Sequence, residues 1–303
     1  MRYLSVILLV LLIISLSAGC TRQPAAVDSS PIKIDGSTML YELSMKWAET
    51  FMKENPTITI EVLKSGTKAG IDSFLAGTCD IVETSRRLTT QEIFEARRKG
   101  VQVEESYAGF AIYTVAVNPG NPVSQLDDGQ VRQIFLGKTA NWKEVGGNDM
   151  PITVLYHSFG KDQYDFFLEN FLDISKNIDL NNLPSHIEIL DKPAETMERL
   201  RHDPGAIGYY YLYKDPKGTK AIAIAKKGST IYRKPTLEEA IDGSYPILRP
   251  YFLYKNRSSK KPLKKFIDFI YSDKGLEITK SMNFVPVPTR NGDVDRTVLF
   301  EYN

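Results

Sequence analysis

Three short apolar segments in the N-terminal third of the chain are each followed by a loop of small residues and then by an amphipathic stretch. The apolar segments are residues 32–34, 58–63 and 81–82. After the first loop, apolar residues recur at helical spacing over residues 40–55, and Pro56 ends that helix. Strand, loop and helix repeated in this order predict a parallel α/β layer.

The rest of the chain continues the alternation of strands and helices. Helices are predicted from residues 71–75 onward, from Thr89 or Thr90 to Lys99, and over residues 131–136, 162–172 and 262–271, with a further helical segment to Ser281. Strands are predicted over residues 152–156, 206–213 and 221–225.

Two long β-rich segments bracket the middle of the chain, at residues 110–118 and 247–254. The simplest architecture has the chain leave one lobe on the first segment and return on the second. Lobe I then contains residues 32–109 together with 255–303, and lobe II contains residues 119–246. A two-strand hinge between two α/β lobes leaves a cleft, and ligands of such sheets bind outside the carboxyl ends of the strands.

The N-terminus predicts export. Arg2 precedes an apolar core over residues 6–16, which is shorter than the roughly 20 residues that a membrane span needs. Residues 16–20 then read LSAGC, which resembles the lipobox of bacterial lipoproteins. In that family cleavage precedes the cysteine, here Cys20, which is acylated. An ordinary signal peptide, or an uncleaved anchor, beside a coincidental cysteine is the alternative interpretation.

We therefore expect a lipoprotein signal peptide over residues 1–19. Residues 20–31 lack periodicity and are rich in Ser, Ala and Pro, so they predict a flexible tether. If Cys20 carries a lipid, Cys79 is the one cysteine left in the sequence and an internal disulfide is impossible. Stability must then come from a packed core.

The charge balance and the absence of known motifs exclude several functions. The chain has 38 Lys and Arg against 37 Asp and Glu, so loss of Arg2 with the signal peptide leaves a net charge of about zero. A nucleic-acid binder would show a basic excess. His157, His186 and His202 are too widely spaced for a metal motif, and the sequence contains no nucleophile elbow or P-loop. We therefore expect no metal, no cofactor and no catalytic residue.

The loops after the three N-terminal strands carry the candidate chemistry. They are Gly36-Ser37-Thr38, Ser65-Gly66-Thr67 and Thr84-Ser85-Arg86. The free N–H groups of a helix N-terminus attract anions, hydroxyl groups add neutral donors, and Arg86 or Arg87 adds a charged fork. Ser and Thr before a helix often serve only as N-caps. Three such loops in succession favour an anion-binding cleft, although capping alone stays open for each.

Six motifs occur in the order in which one known protein family carries them. They are DGSTMLY (35–41), SGT (65–67), CDIVETSRRL (79–88), IFLGKTANWKEVGG (134–147), PGAIGY (204–209) and YPILRP (245–250). The fourth is the most specific, because it is close to the family's Ile-Phe-x-Gly-x-x-x-Asn-Trp-x-x-Val-Gly-Gly. The ordered set resembles the substrate-binding proteins of phosphate ABC importers, within the type II periplasmic-binding-protein superfamily.

The resemblance implies an α/β protein with the two-lobed type II periplasmic-binding-protein fold, a two-strand hinge and a ligand cleft between the lobes. It implies a monomeric, extracytoplasmic binding protein that closes over inorganic phosphate or a related oxyanion and delivers it to the permease of an ABC importer. By position, the ligand-binding residues of the first three loops are Gly36, Ser37, Thr38, Ser65, Gly66, Thr67, Ser85 and Arg86.

The family's fourth ligand loop corresponds to residues 157–163, where this sequence departs from the family. His157 stands at the position of an arginine, and a segment that begins at Lys161 replaces Ser-Gly-Thr. We expect His157, Ser158 and Lys161 to contribute here, with the N-terminus of the following helix. One lost charge-assisted hydrogen bond in a buried site costs about 1.5–3 kcal/mol, or roughly 10- to 100-fold in affinity.

This departure keeps other functions open. The same fold with an altered fourth loop fits another oxyanion or small solute, or a sensor or docking protein. An extracytoplasmic phosphoester hydrolase is a minor alternative, because it would need a metal cluster or an activated nucleophile.

Overall fold

A computed structural model describes most of the chain. The described residues are 30–158, 166–173, 179, 182–211, 217–257, 261–287, 289–290 and 293–294. The predicted signal peptide, Cys20, most of the tether and Lys161 lie outside these residues. None of the helices within them is both long and apolar enough to cross a bilayer.

Strands and helices alternate over residues 32–112, as the sequence predicts, whereas later parts of the chain also contain consecutive strands and consecutive helices. The strands are β1 (Ile32–Gly36), β2 (Ile60–Val62), β3 (Ile81–Thr84), β4 (Val103–Ile112), β5 (Thr114–Val117), β6 (Gln125–Asp127), β7 (Thr153–His157), β8 (Ile187–Leu190), β9 (Ala206–Tyr210), β10 (Lys220–Ala221), β11 (Ala223–Ala225), β12 (Leu248–Asn256), β13 (Thr289–Arg290) and β14 (Asp293–Val294). The α-helices are α1 (Tyr41–Glu54), α2 (Thr67–Leu75), α3 (Thr90–Arg98), α4 (Asp128–Phe135), α5 (Pro193–His202), α6 (Leu237–Ile241), α7 (Lys261–Ile270) and α8 (Asp273–Ser281). A 3₁₀ helix covers Trp142–Val145 and a π-helix covers Phe167–Phe171.

Two five-stranded sheets organise the fold. The first has the order β2-β1-β3-β12-β4, and the second has the order β10-β5-β9-β7-β8. In the first sheet β1 runs parallel to β2 and β3, so the predicted parallel layer is confirmed for the N-terminal strands. The sheet as a whole is mixed, because β12 is antiparallel to both β3 and β4.

Tyr113 marks the point where the chain passes from the first sheet to the second. The sequence predicts one strand over residues 110–118, but β4 and β5 are separate strands with this single residue between them. β4 pairs in the first sheet and β5 in the second, so the break at Tyr113 coincides with the change of sheet. The Tyr113 N–H donates to the Ile247 carbonyl over 3.0 Å, and the Tyr245 hydroxyl donates to the Tyr113 carbonyl over 2.7 Å. The outgoing and returning segments are therefore joined here. The lobe boundaries stay a prediction.

Helices cover the first sheet on both faces. On one face, Trp47 and Phe51 of α1 are fully buried, and the Phe51 ring meets the Phe266 ring of α7 at 5.2 Å. On the other face, Ile71 and Phe74 of α2 join the large apolar core. Burying each such side chain contributes about 1.5–3 kcal/mol. This packing fixes the N-termini of α1 and α2 at the sheet edge where β1 and β2 end.

The ends of several elements differ from the predicted ones. Helix α1 is one residue shorter at each end than the predicted 40–55, whereas α2 begins four residues before the predicted 71–75. The strand predicted over residues 206–213 ends as β9 at Tyr210. Of the helix predicted over residues 162–172, the described part is the π-helix together with Phe166 and Leu172.

Candidate anion-binding site

The three loops predicted to bind an anion lie next to one another. They follow β1, β2 and β3, which are adjacent parallel strands and therefore end at the same edge of the first sheet. The Gly66 N–H of the second loop donates to the Gly36 carbonyl of the first over 2.8 Å. The Ser37 N–H of the first loop donates to the carbonyl of Glu83, at the end of the third strand, over 2.8 Å. The three loops therefore meet at one edge of the first sheet, and their role in binding an anion stays a prediction.

Hydroxyl groups connect the second and third loops. The hydroxyl oxygens of Thr67 and Ser85 are 3.0 Å apart, and the Ser85 N–H donates to the Thr67 hydroxyl over 3.3 Å. Thr67 is the first residue of α2, so this contact places the third loop beside the N-terminus of that helix. Neutral donors and free helix N–H groups thus occupy one region.

The hydroxyls of the first two loops are not N-caps. The N-cap of α1 is Leu40 and that of α2 is Gly66, and neither makes a side-chain capping bond. In the third loop the cap of α3 is Thr89, which forms a capping box with Glu92, so Ser85 is not used as the cap. The alternative interpretation of these loops as ordinary caps therefore fails.

Ser37 stands out among these hydroxyls. Its side chain is 1% exposed, and its Oγ atom has no hydrogen-bond partner among the described residues. An unpartnered buried hydroxyl costs about 1–3 kcal/mol, so native structures rarely keep one without a use. An oxyanion would accept a hydrogen bond from this group.

Two positions at the first loop require glycine, because backbone segments lie very close together there. Gly36 has φ 135°, and a Cβ atom on it would lie 2.0 Å from the Glu83 carbonyl oxygen. A Cβ on Gly70 would lie 2.5 Å from the Gly36 Cα, which brings α2 against the first loop. Since such separations are impossible for real atoms, both positions accept only glycine. Gly66 has a positive φ of 93°.

Asp35 holds the first two loops together, and sequence reasoning missed it. Its carboxylate is buried and accepts hydrogen bonds from the Gly36 N–H at 2.8 Å and from the Ser65 N–H and hydroxyl at 3.2 and 2.7 Å. The second oxygen accepts from the Ser73 hydroxyl of α2 at 3.2 Å. The predicted ligand Ser65 therefore donates its hydroxyl to Asp35 in this structure. An Asp directly before a Gly-Ser loop was the signal available in the sequence.

Glu83 is a second buried acid that the sequence did not reveal. It faces α1, where the Ser44 hydroxyl donates to its Oε1 atom. Burial raises the pKa of Glu83 from 4.5 to about 8, the Ser44 bond opposes this rise, and the charge of Asp35 adds to it. The carboxyl is therefore mostly protonated at neutral pH, because desolvation disfavours the charged form.

Both candidate arginines of the third loop make ion pairs. Arg86 donates through Nη1 and Nη2 to the two carboxylate oxygens of Glu92, each at 2.8 Å. Chiefly through these bonds, the pKa of Glu92 falls to about 2. Arg87 lies 3.4 Å from the carboxylate of Glu105 and donates to the Tyr107 hydroxyl over 3.0 Å. A ligand that binds the guanidinium of Arg86 must compete with Glu92 for its N–H groups, so the role of Arg86 stays a prediction.

The fourth loop begins at the carboxyl end of β7 in the second sheet. The His157 side chain is 1% exposed and its ring meets the Tyr209 ring edge-on at 5.1 Å. Its Nε2 atom lies 3.0 Å from the Tyr209 carbonyl and must donate to it, because a carbonyl only accepts. The Ser158 hydroxyl is buried without a hydrogen-bond partner among the described residues. Lys161 lies outside them, so the ligand roles of His157, Ser158 and Lys161 stay predictions.

The residues that the structure describes contain no group of three or more His, Cys, Asp or Glu side chains that could hold a metal ion. Cys79 is buried, and burial, with the charges of Asp35 and Asp80, raises the pKa of its thiol to about 12. Its thiol is therefore protonated and unreactive at neutral pH.

Comparisons with known proteins agree with this architecture. Residues 21–274 match the family described as the PBP superfamily domain. The phosphate-binding protein PstS of Staphylococcus haemolyticus is 30% identical over 255 residues, which are 80% of this chain and 77% of that protein. An ABC-type phosphate transport receptor from Vibrio cholerae aligns with a TM-score of 0.70 and 23% identity, covering 84% of this chain and 99% of that one. A candidate phosphate ABC transporter substrate-binding protein from Clostridium perfringens, solved with bound phosphate, aligns with a TM-score of 0.60 and 27% identity, covering 85% and 100%. The predicted two-lobed fold is confirmed.

Proposed function

This chain belongs to the PBP superfamily and to the phosphate-binding proteins within it, and we propose that it captures inorganic phosphate outside the cytoplasm for an ABC importer. One observation carries the proposal. The hydroxyls of three converging loops do not cap their helices, and the buried Ser37 hydroxyl has no hydrogen-bond partner among the described residues. Such a set of neutral donors beside helix N-termini suits a tetrahedral oxyanion.

In this proposal the first sheet supplies most of the ligand contacts. Ser37, Thr38 and the N–H groups at the start of α1 meet one side of the anion, and Gly66, Thr67 and the start of α2 meet another. Ser85 completes the set beside Thr67, at 3.0 Å between hydroxyl oxygens. Fixed N–H and hydroxyl donors stabilise an anion more strongly once closure of the lobes excludes water.

The second sheet contributes through the fourth loop. Ser158 follows β7 and has a buried hydroxyl, while His157 is hydrogen-bonded to the Tyr209 carbonyl. We propose that Ser158 and Lys161, with the N-terminus of the helix that the sequence predicts over residues 162–172, take the place of the family's arginine. Because His157 is already engaged within its own sheet, a related oxyanion with weaker need for a cation is the second candidate ligand.

The N-terminus fits the same role. We propose that the chain is cleaved before Cys20, that a lipid on this cysteine anchors it to the outer face of the cell membrane, and that it acts as a monomer. The tether that follows would let the binding protein reach its permease. Mass spectrometry of the protein from membranes tests the lipid, which a Cys20→Ser variant must lack.

Calorimetry tests the ligand. Residues 21–303, purified and stripped of ligand, would be titrated with phosphate and then with sulfate. We expect one-to-one binding of phosphate and no response to sulfate. Silence with both anions would overturn the phosphate proposal, and a response to sulfate alone would favour the second candidate. An assay of phosphoester hydrolysis, with and without divalent metal, tests the enzyme alternative.

A further inference from the structure

Glu83 attaches the third strand both to the first anion-binding loop and to helix α1. Its backbone carbonyl accepts the Ser37 N–H over 2.8 Å, and its side chain accepts the hydroxyl of Ser44. Ser44 lies in the first turn of α1, and its own N–H donates to the Leu40 carbonyl over 2.8 Å. One residue therefore fixes both ends of the segment from Ser37 to Ser44, which contains Thr38 and the N-terminus of α1.

We propose that Glu83 is a positioning residue for the anion site, and that it performs this role with its carboxyl protonated. This inference rests on the proposed function, because the segment that Glu83 holds carries Ser37 and Thr38. No contact between Glu83 and the ligand is needed. The residue acts through Ser37 and Ser44, by keeping the loop and the helix N-terminus in the arrangement that an oxyanion requires.

The surroundings of Glu83 explain why a neutral acid suits this place. The side chain is 1% exposed, and Ser44 is fully buried above it. A carboxylate here would add a second negative charge near that of buried Asp35, and like charges in a low-dielectric interior repel strongly. The protonated carboxyl accepts the Ser44 hydrogen bond without that charge. Burial supplies the physical cause, since it raises the pKa of this group.

The groups that face Glu83 come from three elements. Strand β1 contributes Asp35, whose charge raises the pKa of Glu83, and α1 contributes Ser44, whose hydrogen bond lowers it. On the other side, β12 places Leu253 opposite Glu83 in the ladder.

The cations of β12 have partners of their own. Lys255 pairs with Glu104 at 2.9 Å, and the Nη1 atom of Arg249 lies 3.5 Å from the Tyr113 hydroxyl. No ion pair between Glu83 and a cation is found among the described residues.

Three variants test the inference. Glu83→Gln keeps the shape and the acceptor for Ser44 but cannot ionise, Glu83→Ala removes the side chain, and Ser44→Ala removes the same hydrogen bond from the helix side. Phosphate affinity would be measured by calorimetry on the mature protein from about pH 6 to about pH 9.5. Changes in the protonation of phosphate itself affect the wild type and the variants equally, so the ratio of their Kd values isolates the protein group.

The expected pattern is specific. Glu83→Gln binds phosphate like the wild type at pH 7, whereas Glu83→Ala and Ser44→Ala bind about tenfold more weakly, as expected for a loss near 1.4 kcal/mol. Above about pH 8 the phosphate affinity of the wild type falls relative to that of Glu83→Gln. The fall is about tenfold for each unit by which bound phosphate raises the pKa of Glu83. A merely structural role would lower the melting temperature of Glu83→Ala and leave its Kd unchanged, which overturns the inference. Parallel pH profiles for the wild type and Glu83→Gln overturn it as well.

Hydrogen exchange without ligand separates this inference from the proposed function. If the wild type binds no phosphate at any pH, the proposed function fails, and exchange decides the positioning role on its own. We expect the amides of residues 37–44 to exchange faster in Glu83→Ala and Ser44→Ala than in the wild type, and Glu83→Gln to match the wild type at pH 7. Unchanged exchange in both weakened variants would overturn the positioning role, and Ser44→Ala keeps the test open if Glu83→Ala does not fold.

Discussion

The hydroxyl oxygens of Thr67 and Ser85 lie 3.0 Å apart although the two residues belong to different loops. Thr67 is the first residue of α2, and Ser85 is the first residue after β3. The pair therefore connects the N-terminus of α2 to the loop that follows β3. Each hydroxyl orients the other, and a ligand that accepts from one of them therefore depends on both.

This pair gives the first prediction. Thr67→Val keeps the shape of the side chain and removes the hydroxyl, so we expect phosphate affinity to fall by about 3- to 10-fold, the usual effect of a neutral hydrogen bond. Thr67→Ser, which keeps the hydroxyl, should bind within about twofold of the wild type. Calorimetry on both variants checks this, and equal affinities for Val and Ser at this position would contradict it.

Ser37→Ala should separate stability from binding. The Ser37 hydroxyl is buried without a partner among the described residues, so its removal leaves the melting temperature of the ligand-free protein equal or higher. Phosphate affinity should fall by about tenfold or more, because an oxyanion loses a buried donor. Ser44→Ala is the matched control: its hydroxyl already bonds to Glu83, so melting temperature and affinity should both fall. A Ser37→Ala protein that melts earlier yet binds normally would contradict the assignment.

Asp35 should be essential for both loops. Its carboxylate accepts four hydrogen bonds, three of them from Gly36 and Ser65 in the anion-binding loops. Asp35→Ala leaves these buried or partly buried donors without an acceptor, so we expect a loss of about 3 kcal/mol in the free energy of unfolding. Asp35→Asn retains one acceptor oxygen and should lose less. Urea denaturation compares the two, and equal losses would argue against the hydrogen bonds as the cause.

The stability of the protein should depend on pH through Glu83. Burial first, and then the charge of Asp35, raise the pKa of Glu83 from 4.5 to about 8, against the effect of the Ser44 bond. Between these pH values the folded protein holds a proton that the unfolded chain has released. The contribution of Glu83 to the free energy of unfolding is therefore fully present below about pH 4.5 and is lost as the pH rises to about 8. Glu83→Gln lacks this dependence.

Thermal unfolding of the two proteins in a pH series measures the effect. The stability of Glu83→Gln relative to the wild type should rise from about pH 4.5 to about pH 8 and then level off, with a slope of at most about 1.4 kcal/mol per pH unit. A difference that does not vary with pH would show that Glu83 titrates normally.

The stabilisation that Glu92 provides should be lost at low pH, whereas that of Glu83 is lost as the pH rises. The hydrogen bonds from Arg86 lower the pKa of Glu92 from 4.5 to about 2, so the stability it contributes is present above about pH 4.5 and is lost as the pH falls toward about 2. The pair is partly exposed, which limits its effect to about 1 kcal/mol or less. Glu92→Gln removes the charge but keeps the capping box with Thr89, whereas Glu92→Ala loses both. Guanidinium unfolding at pH 7 should rank the wild type above Gln and Gln above Ala.

Local patterns predicted the elements well where apolar periodicity was strong. Helix α1 was predicted within one residue at each end, because Leu43, Trp47 and Phe51 recur on one buried face. The break between β4 and β5 at Tyr113 was missed, since β-branched and aromatic residues continue through it and the change of sheet is a tertiary event.

The residues of the site were likewise predictable only in part. The loops were predictable because small residues and hydroxyls follow the strands, and the structure brings Ser37, Gly66 and Ser85 into one region. The buried acids were not predictable, because an Asp before a Gly is typical of any turn and a Glu in a strand is usually exposed. The partner of Glu83 is Ser44, 39 residues earlier in the chain, so no local pattern records their contact.

Strand β12 lies between β3 and β4 in the first sheet, although about half of the chain separates it from them in sequence. During synthesis and export, β3 and β4 therefore cannot pair with β12, the strand between them, until residues 248–256 have emerged. Every strand of the second sheet has been made by then. The half of the protein that carries the three anion-binding loops is thus the last to close, and a chain cut short before β12 would leave two open strand edges where the sheet should be continuous.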